Sequence, residues 1–367
     1  MLANCCTLFG MKKPVVCVGM SGGVDSSVAA YLLKEQGYEV FGLFMKNWDE
    51  TNSDGVCTAE KDFEDVLKVA DTIGIPCHSV TFTKEYEERV FSYFLRELRE
   101  GRTPNPDILC NREIKFDVFY EKARSLGADF VATGHYARTE NGHLIKPTDA
   151  NKDQTYFLHA VKGSILKNIL FPLGEYTKPE VRQIAEKAGL STSAKKDSTG
   201  ICFIGKRNFR EFVHNYLPYK TGEMRLVSGE KIGTHVGVAF YTIGQRKGLG
   251  IGGPGEPFFV VDKDIENNIL YVAQGEDHPS LYAEGLIASE ATWIQDTPSF
   301  PLKCSAKIRY RQEEQPCLVT QVGENLEVVF DTPQRAITPA QSVVFYLDSV
   351  CLGGAVIRHK CSLASAS

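Results

Sequence analysis

The feature that most constrains this chain is a junction. Gly19-Met20-Ser21-Gly22-Gly23-Val24-Asp25-Ser26-Ser27 separates the apolar run Pro14–Val18 from an amphipathic run, Ser27–Gln36. In the second run Val28, Ala29, Leu32 and Leu33 share one helical face, and Gly37 closes it. Strand, glycine–serine turn and helix in that order open a βαβ unit. The pattern then repeats. Val40–Met45 predicts a strand; Phe63, Val66, Leu67, Ala70 and Ile73 mark a helix stopped by Gly74; Cys77–Phe82 predicts a third strand. Lys84–Glu100 carries a single apolar stripe, as does Phe116–Leu126, which leads into a fourth strand at Asp129–Thr133. Thr177-Lys178-Pro179-Glu180 reads as a capping box whose helix runs to Gly189. Strands spaced by amphipathic helices predict an α/β domain with a parallel sheet.

After about Tyr216 glycines crowd in and short alternating runs replace helices. Phe258–Val261 and Ile269–Val272 flank a turn-rich stretch and predict a hairpin. Leu302–Arg311, Cys317–Val322, Leu326–Phe330, Ser342–Leu347 and Cys351–Arg358 predict five short strands of a small antiparallel barrel or sandwich, with the barrel preferred. The expected layout is a catalytic domain over 1–216, a small mixed connector over 217–276 and a β-barrel over 277–367.

Composition supports an ordinary globular chain: of 367 residues, 43% are hydrophobic and 24% charged. No apolar run approaches the roughly 18 residues needed to span a bilayer. The uncharged first ten residues, followed by Lys12 and Lys13, have the wrong order for a secretory signal. A cytoplasmic protein without a membrane partner is expected, starting functionally at Met1 or Met11. Eleven cysteines never give Cys-x-x-Cys, which argues against a disulfide framework or a tetrahedral zinc site. The net charge of −5 gives no global attraction to nucleic acid, so RNA would need local basic patches.

The junction suits an anion. Adjacent glycines let the backbone approach phosphate oxygens, Ser21, Ser26 and Ser27 offer hydroxyls, and the helix start adds its dipole. Asp25 would repel phosphate, so its expected role is to hold the loop or a Mg²⁺ ion. Neither a Walker A loop nor a Gly-x-Gly-x-x-Gly dinucleotide loop is present. Two cysteines stand apart from the rest. Cys110 lies in the proline-stiffened Gly101–Asn111 loop near a helix start, where Asp107 is a nearby proton acceptor, and Cys202 lies between two basic clusters. Both settings favour thiolate.

Ser-Gly-Gly-x-Asp-Ser resembles the pyrophosphate loop of the PP-loop ATP pyrophosphatases. The loop, Phe44–Trp48, Thr103–Asn111, Ala132–Tyr136, Lys152–Gln154, Gly200–Lys206, Thr242–Gly250, Lys307–Arg311 and Ser342–Tyr346 follow in that order, and nearly the whole chain resembles a bacterial tRNA-specific 2-thiouridylase. The resemblance implies an adenine nucleotide α-hydrolase-like fold and a tRNA-uridine 2-sulfurtransferase. ATP and Mg²⁺ would sit on Gly19, Met20, Ser21, Gly22, Gly23, Val24, Asp25 and Ser26, with contacts at Met45 and Gly134. The wobble uridine of tRNA Lys, Glu and Gln would be adenylated at O2. A sulfur-relay protein or cysteine desulfurase would load a persulfide on Cys202, and Cys110, assisted by Asp107, would release the sulfur and leave a Cys110–Cys202 disulfide. Asn105, Pro106, Asp107, His135, Lys152, Asp153, Gln154, Arg309, Tyr310 and Gln341 would contact tRNA. From the residues, Lys303, Lys307, Arg309 and Arg311 fall on one strand face, which suits phosphate or a solvated barrel exterior. Three alternatives stay open: an ATP-dependent ligase acting on a small molecule, an RNA-binding module holding ATP structurally, and an iron–sulfur cluster on Cys110, Cys202 and a third ligand.

Overall fold

The computed structural model describes residues 13–48, 58–197, 209–218 and 220–361. Cys202 with the basic pair Lys206 and Arg207 that follows it, and the first twelve residues, lie outside them. The chain divides into two compact units: Met1–Val90, Asp107–Phe203 and Ser349–Leu352 form the first, and Phe91–Pro106, Ile204–Asp348 and Gly353–Ser367 the second. Among the described residues no helix is long and apolar enough to cross a membrane.

In the first unit β1 (Val15–Met20), β2 (Glu39–Lys46), β3 (Cys77–Thr81), β4 (Phe130–Ala132) and β7 (Ile169–Leu170) form a parallel sheet ordered β3-β2-β1-β4-β7. A short hairpin, β5 (Arg138–Glu140) and β6 (His143–Ile145), pairs with Val350 and Cys351. Burial on both faces explains the near-continuous apolar strands. Helix α1 (Val24–Glu35) buries Val28, Ala29 and Leu33 on the sheet, in one core with Val16, Val18, Val181 and Ala185. It ends because Gly37 takes φ +88°, letting Tyr38 N–H reach the Leu33 carbonyl and Gly37 N–H the Lys34 carbonyl. The chain leaves β1 for β2 and β3 on one side and reaches β4 on the other. The turn after β1 therefore sits at the switch point of the sheet, where open α/β folds bind ligands.

The apolar stripe in Lys84–Glu100 is real, but the single regular helix is not. Thr83–Tyr86 is α-helical, Glu87–Phe91 is a π turn and Ser92–Arg99 is α-helical again, with the division between units falling at Val90 and Phe91. A second π segment, Cys110–Val118, precedes the helix Phe119–Ser125 and contains the non-helical Phe116.

The second unit holds a four-stranded sheet: β8 (Gly222–Leu226), β9 (Lys231–His235), β10 (Phe258–Asp264) and β11 (Ile269–Gln274), ordered β10-β11-β8-β9. The expected hairpin is the antiparallel β10–β11 pair. Beyond it the five expected strands become six. The addition is β12 (Tyr282–Trp293), whose alternation is broken by register shifts after Ala283 and Ser289. With β13 (Leu302–Lys307), β14 (Gln315–Val322), β15 (Asn325–Arg335), β16 (Ser342–Leu347) and β17 (Val350–Cys361) it closes a barrel, β12-β15-β14-β13-β16-β17 and back to β12. Because β13 ends at Lys307, Arg309 and Arg311 lie in the following turn, and the expected strand face with four cations does not form.

Candidate active site

The turn after β1 is tied to itself. Ser26 Oγ accepts from Ser21 N–H at 3.1 Å and donates to the Gly23 carbonyl at 3.1 Å, while Ser27 Oγ donates to the same carbonyl at 2.8 Å. The hydroxyls of Ser26 and Ser27 are engaged in shaping the turn. What stays available is backbone: the first-turn N–H groups of Val24, Asp25 and Ser26 have no carbonyl four residues back. Met20 and Val24 are core side chains, so they too can offer only main chain to a ligand. Gly22 takes φ +73°, and a Cβ there would stand 2.7 Å from the Asp62 carbonyl oxygen. Gly134, just beyond β4, lies against the same turn: its Cβ would be 2.7 Å from Ser26 N. Met45 is half-buried near the end of β2; two residues on, Asn47 Oδ1 is buried without a hydrogen-bond partner, an acceptor waiting for a donor.

Asp25 holds the loop. Its carboxylate accepts from Lys178 Nζ at 2.7 and 2.8 Å and from Tyr136 OH at 2.8 Å. Lys178 also reaches Asp197 at 2.8 Å, which in turn pairs with Lys152 at 2.7 Å and Arg182 at 2.8 Å. Burial alone would raise the Asp197 carboxyl, but hydrogen bonds from Lys152 and Lys178 outweigh it and hold it at about 2. Burial, and then the Asp25 charge, push the Tyr136 phenol up, so it donates as a neutral group. A second tie, Lys195 Nζ to Asp62 at 2.9 Å and Asp65 at 2.8 Å, braces the segment that Gly22 touches.

Lys178 and Asp197 were not singled out from the sequence. One signal was available for Lys178. A lysine at the first position of a helix opposes the dipole and implies a tertiary partner. Its helix, Lys178–Lys187, has the expected box, with Glu180 accepting from Thr177 N–H and Oγ1 at 2.7 Å each.

The triplet Lys152-Asp153-Gln154 is held by hydrogen bonds and ion pairs within the first unit, with Asp153 buried and its neighbours half-buried. Lys152 is on Asp197, Asp153 accepts from Thr155 N–H and Oγ1 at 3.0 and 2.6 Å, and Gln154 Oε1 accepts from Tyr136 N–H at 2.9 Å. His135 Nδ1 lies 2.8 Å from Thr133 Oγ1, its ring between Phe116 and Phe171 at 6.0 and 6.1 Å. Burial, with the Lys115 charge adding, keeps its imidazole well below the ordinary value and neutral. Asp107 starts the turn that leads to Cys110, one helical turn ahead of it on the same face. Burial pushes the Asp107 carboxyl up, against the opposing pull of Lys115. Cys110 is buried at the first residue of the π segment, a geometry frequent at functional sites.

In the second unit the segment before Asn105 and Pro106 is gripped. Arg102 binds the buried Glu97 bidentately at 2.6 and 3.0 Å, Lys263 Nζ donates to the Gly101 carbonyl at 2.8 Å, and Gln341 Nε2 donates to the Thr103 carbonyl at 2.6 Å. Asn105 is half-buried and Pro106 buried. Arg309 Nη2 donates to the carbonyls of Ile243 and Ala336 at 2.8 and 2.9 Å; Tyr310 is half-buried beside it.

The chain is similar to known proteins along nearly its whole length. Residues 14–206 match the family model described as tRNA methyl transferase HUP domain, 210–274 the tRNA methyl transferase PRC-barrel domain and 283–357 the aminomethyltransferase beta-barrel domain. The chain is 59% identical over 355 residues to tRNA-specific 2-thiouridylase MnmA 1 of Geobacillus kaustophilus, covering 95% of this chain and 96% of that one. It is 58% identical over 350 residues to tRNA-specific 2-thiouridylase MnmA of Halalkalibacterium halodurans, covering 94% of each. Among solved structures, the U34-tRNA thiolase NcsA from Methanococcus maripaludis overlaps 57% of this chain and 69% of its own, at 20% identity and a TM-score of 0.37, too distant to inform the site.

Proposed function

The chain belongs to the family of tRNA-specific 2-thiouridylases, and we propose that it uses ATP to replace O2 of the wobble uridine by sulfur in tRNA Lys, Glu and Gln, in the cytoplasm. The observation that carries this reading is the turn Ser21–Ser26 at the switch point, with its helix N–H groups open and its one acidic side chain neutralised by Lys178. That arrangement receives a triphosphate without charge repulsion. The methyl-transfer wording of the matched models weighs less than whole-length identity to thiouridylases.

In this mechanism the uridine O2 attacks the α-phosphate and pyrophosphate leaves. A persulfide on Cys202, loaded by a sulfur-relay protein or cysteine desulfurase, attacks C2 through its terminal sulfur and expels AMP. The Cys110 thiolate then attacks the inner sulfur of Cys202. The C2–S bond stays, the S–S bond to Cys202 breaks, and a Cys110–Cys202 disulfide remains for a reductant. Asp107 accepts the Cys110 proton. Asn105 and Pro106 would hold the flipped base; His135, Lys152, Asp153 and Gln154 in the first unit, and Arg309, Tyr310 and Gln341 in the second, would each contact tRNA. Mg²⁺ would arrive on the triphosphate with phosphate and water ligands; Asp25 is already paired, so no step is assigned to a protein-held metal. The segments 1–216, 217–276 and 277–367 would act as catalytic, connecting and RNA-binding parts.

The test is single-turnover thiolation of unmodified glutamate tRNA with ATP-Mg²⁺ and a persulfide source, the nucleosides being analysed by mass spectrometry. Wild type should give 2-thiouridine at position 34 and one AMP per turnover; Cys202→Ser should release pyrophosphate but not AMP, and Cys110→Ser should release AMP while leaving the tRNA joined to Cys202, so that neither yields free thiouridine. AMP formation without thiolation in the wild type would replace the reading with a ligase acting on another acceptor.

A further inference from the structure

The barrel carries a second pair of thiols with no part in that mechanism. Cys304 on β13 and Cys317 on β14 are direct cross-strand partners, and their sulfurs lie 3.8 Å apart. Residues opposed in an antiparallel pair have Cα atoms about 4.5–5.5 Å apart, inside the range of about 4.4–6.8 Å that a disulfide accepts. The sulfurs need to approach by roughly 1.8 Å to reach a bond of about 2.05 Å, a side-chain rotation rather than a backbone movement. Cys317 is buried on the same strand face as Val319, and Cys304 is half-buried, the more accessible residue of the pair.

We propose that Cys304 and Cys317 form a dithiol oxidation site, in which Cys304 attacks a low-molecular-weight disulfide and Cys317 resolves the adduct into a cross-strand disulfide. The roles follow from the contact. The contact between the two sulfurs lowers the Cys304 thiol, while that same contact and then burial raise Cys317. The Cys304 thiolate attacks one sulfur of RSSR, forming Cys304–S–S–R and releasing RS⁻. Cys317 loses its proton to that RS⁻ and attacks the Cys304 sulfur, expelling the second RS⁻, which is protonated from solvent. The protein gives up two electrons and two protons, and one RSSR becomes two RSH. The product staples neighbouring strands of the barrel.

The experiment uses the full chain with Cys110→Ser and Cys202→Ser, so that sulfur-transfer chemistry cannot contribute, treated with oxidised glutathione and digested with trypsin without reduction. The expected product is peptide 304–307 joined to peptide 312–335 with loss of two hydrogens, and a melting temperature several degrees above that of the dithiothreitol-treated sample. Adding Cys317→Ser should trap glutathione on Cys304; adding Cys304→Ser should leave Cys317 unmodified. A pair that stays reduced while other cysteines take up glutathione overturns the proposal, as does trapping on Cys317 when Cys304 is absent.

Discussion

Gln341 Nε2 donates to the carbonyl of Thr103 at 2.6 Å, joining the turn after β15 to a segment 238 positions earlier. Thr103 N–H returns a bond to the Pro339 carbonyl at 3.2 Å, and Lys263 holds Gly101. From this anchored stretch the chain runs straight into Asn105 and Pro106. Gln341 is therefore expected to act through chain position as well as through RNA. Gln341→Ala removes about 1 kcal/mol of hydrogen bonding, which predicts faster amide exchange over residues 102–105 and about a five-fold rise in KM for tRNA with kcat little changed. A KM shift without faster exchange would assign Gln341 to RNA contact alone.

Gly22 and Gly23 are adjacent but not equivalent. At Gly22 a methyl group meets both a left-handed φ of +73° and the Asp62 carbonyl at 2.7 Å. Gly22→Ala should lose about 1–3 kcal/mol of stability and at least ten-fold in ATP affinity. Gly23 has φ −96°, and its Cβ would meet only Ser21 Oγ at 3.4 Å. Gly23→Ala should therefore lose less than about 1 kcal/mol. Denaturant unfolding and nucleotide titration of both variants check the contrast.

Lys178 serves two carboxylates, Asp25 and Asp197, and is itself buried. Lys178→Met leaves both carboxylates short of a cation, and the expected loss is about 2–4 kcal/mol, at the lower end because both are partly solvated. Tyr136→Phe, which removes one hydrogen bond to Asp25, should lose about 1 kcal/mol. The pH dependence has a definite sign. Asp197 is held at about 2 against an ordinary 3.8, so its contribution is present above about pH 4 and fades as pH falls toward 2. Acid titrations of unfolding should show this loss in wild type and a smaller one in Lys178→Met.

These contacts mark the limit of what the sequence discloses. Helix stops at Gly37, Gly74 and Gly189 and the Thr177–Glu180 box were legible because each is set by neighbours within a turn. The turn Ser21–Ser26 was legible for the same reason. The Asp25–Lys178 pair joins residues 153 apart, and nothing local encodes the distance between them. Arg309 illustrates the same blindness: its guanidinium ties the turn after β13 to the Ile243 and Ala336 carbonyls, partners that no local pattern announces. Strand β12 escaped because bulges break the period of two, and the π turns because an apolar stripe does not distinguish a π turn from an α-helix.

The last prediction concerns His159, close in sequence to the carbonyl of Phe157 that accepts from Asn111 Nδ2 at 3.1 Å. Both ring nitrogens of His159 are buried without a hydrogen-bond partner, as is Asn111 Oδ1. Burial, and then the Arg112 charge, lower its imidazole from 6.5 to about 3. The folded state therefore holds His159 neutral while the unfolded chain protonates it. Stability is fully present above pH 6.5 and declines as pH falls from there toward 3, by at most about 2 kcal/mol at pH 5. His159→Leu removes both the proton and the orphaned nitrogens. It should be at least as stable as wild type at pH 7, by up to about 1 kcal/mol, and should flatten the decline below pH 6.5. Urea unfolding at pH 7, 6 and 5 measures both effects, and a variant that loses stability in parallel with wild type would show that His159 is not the group being titrated.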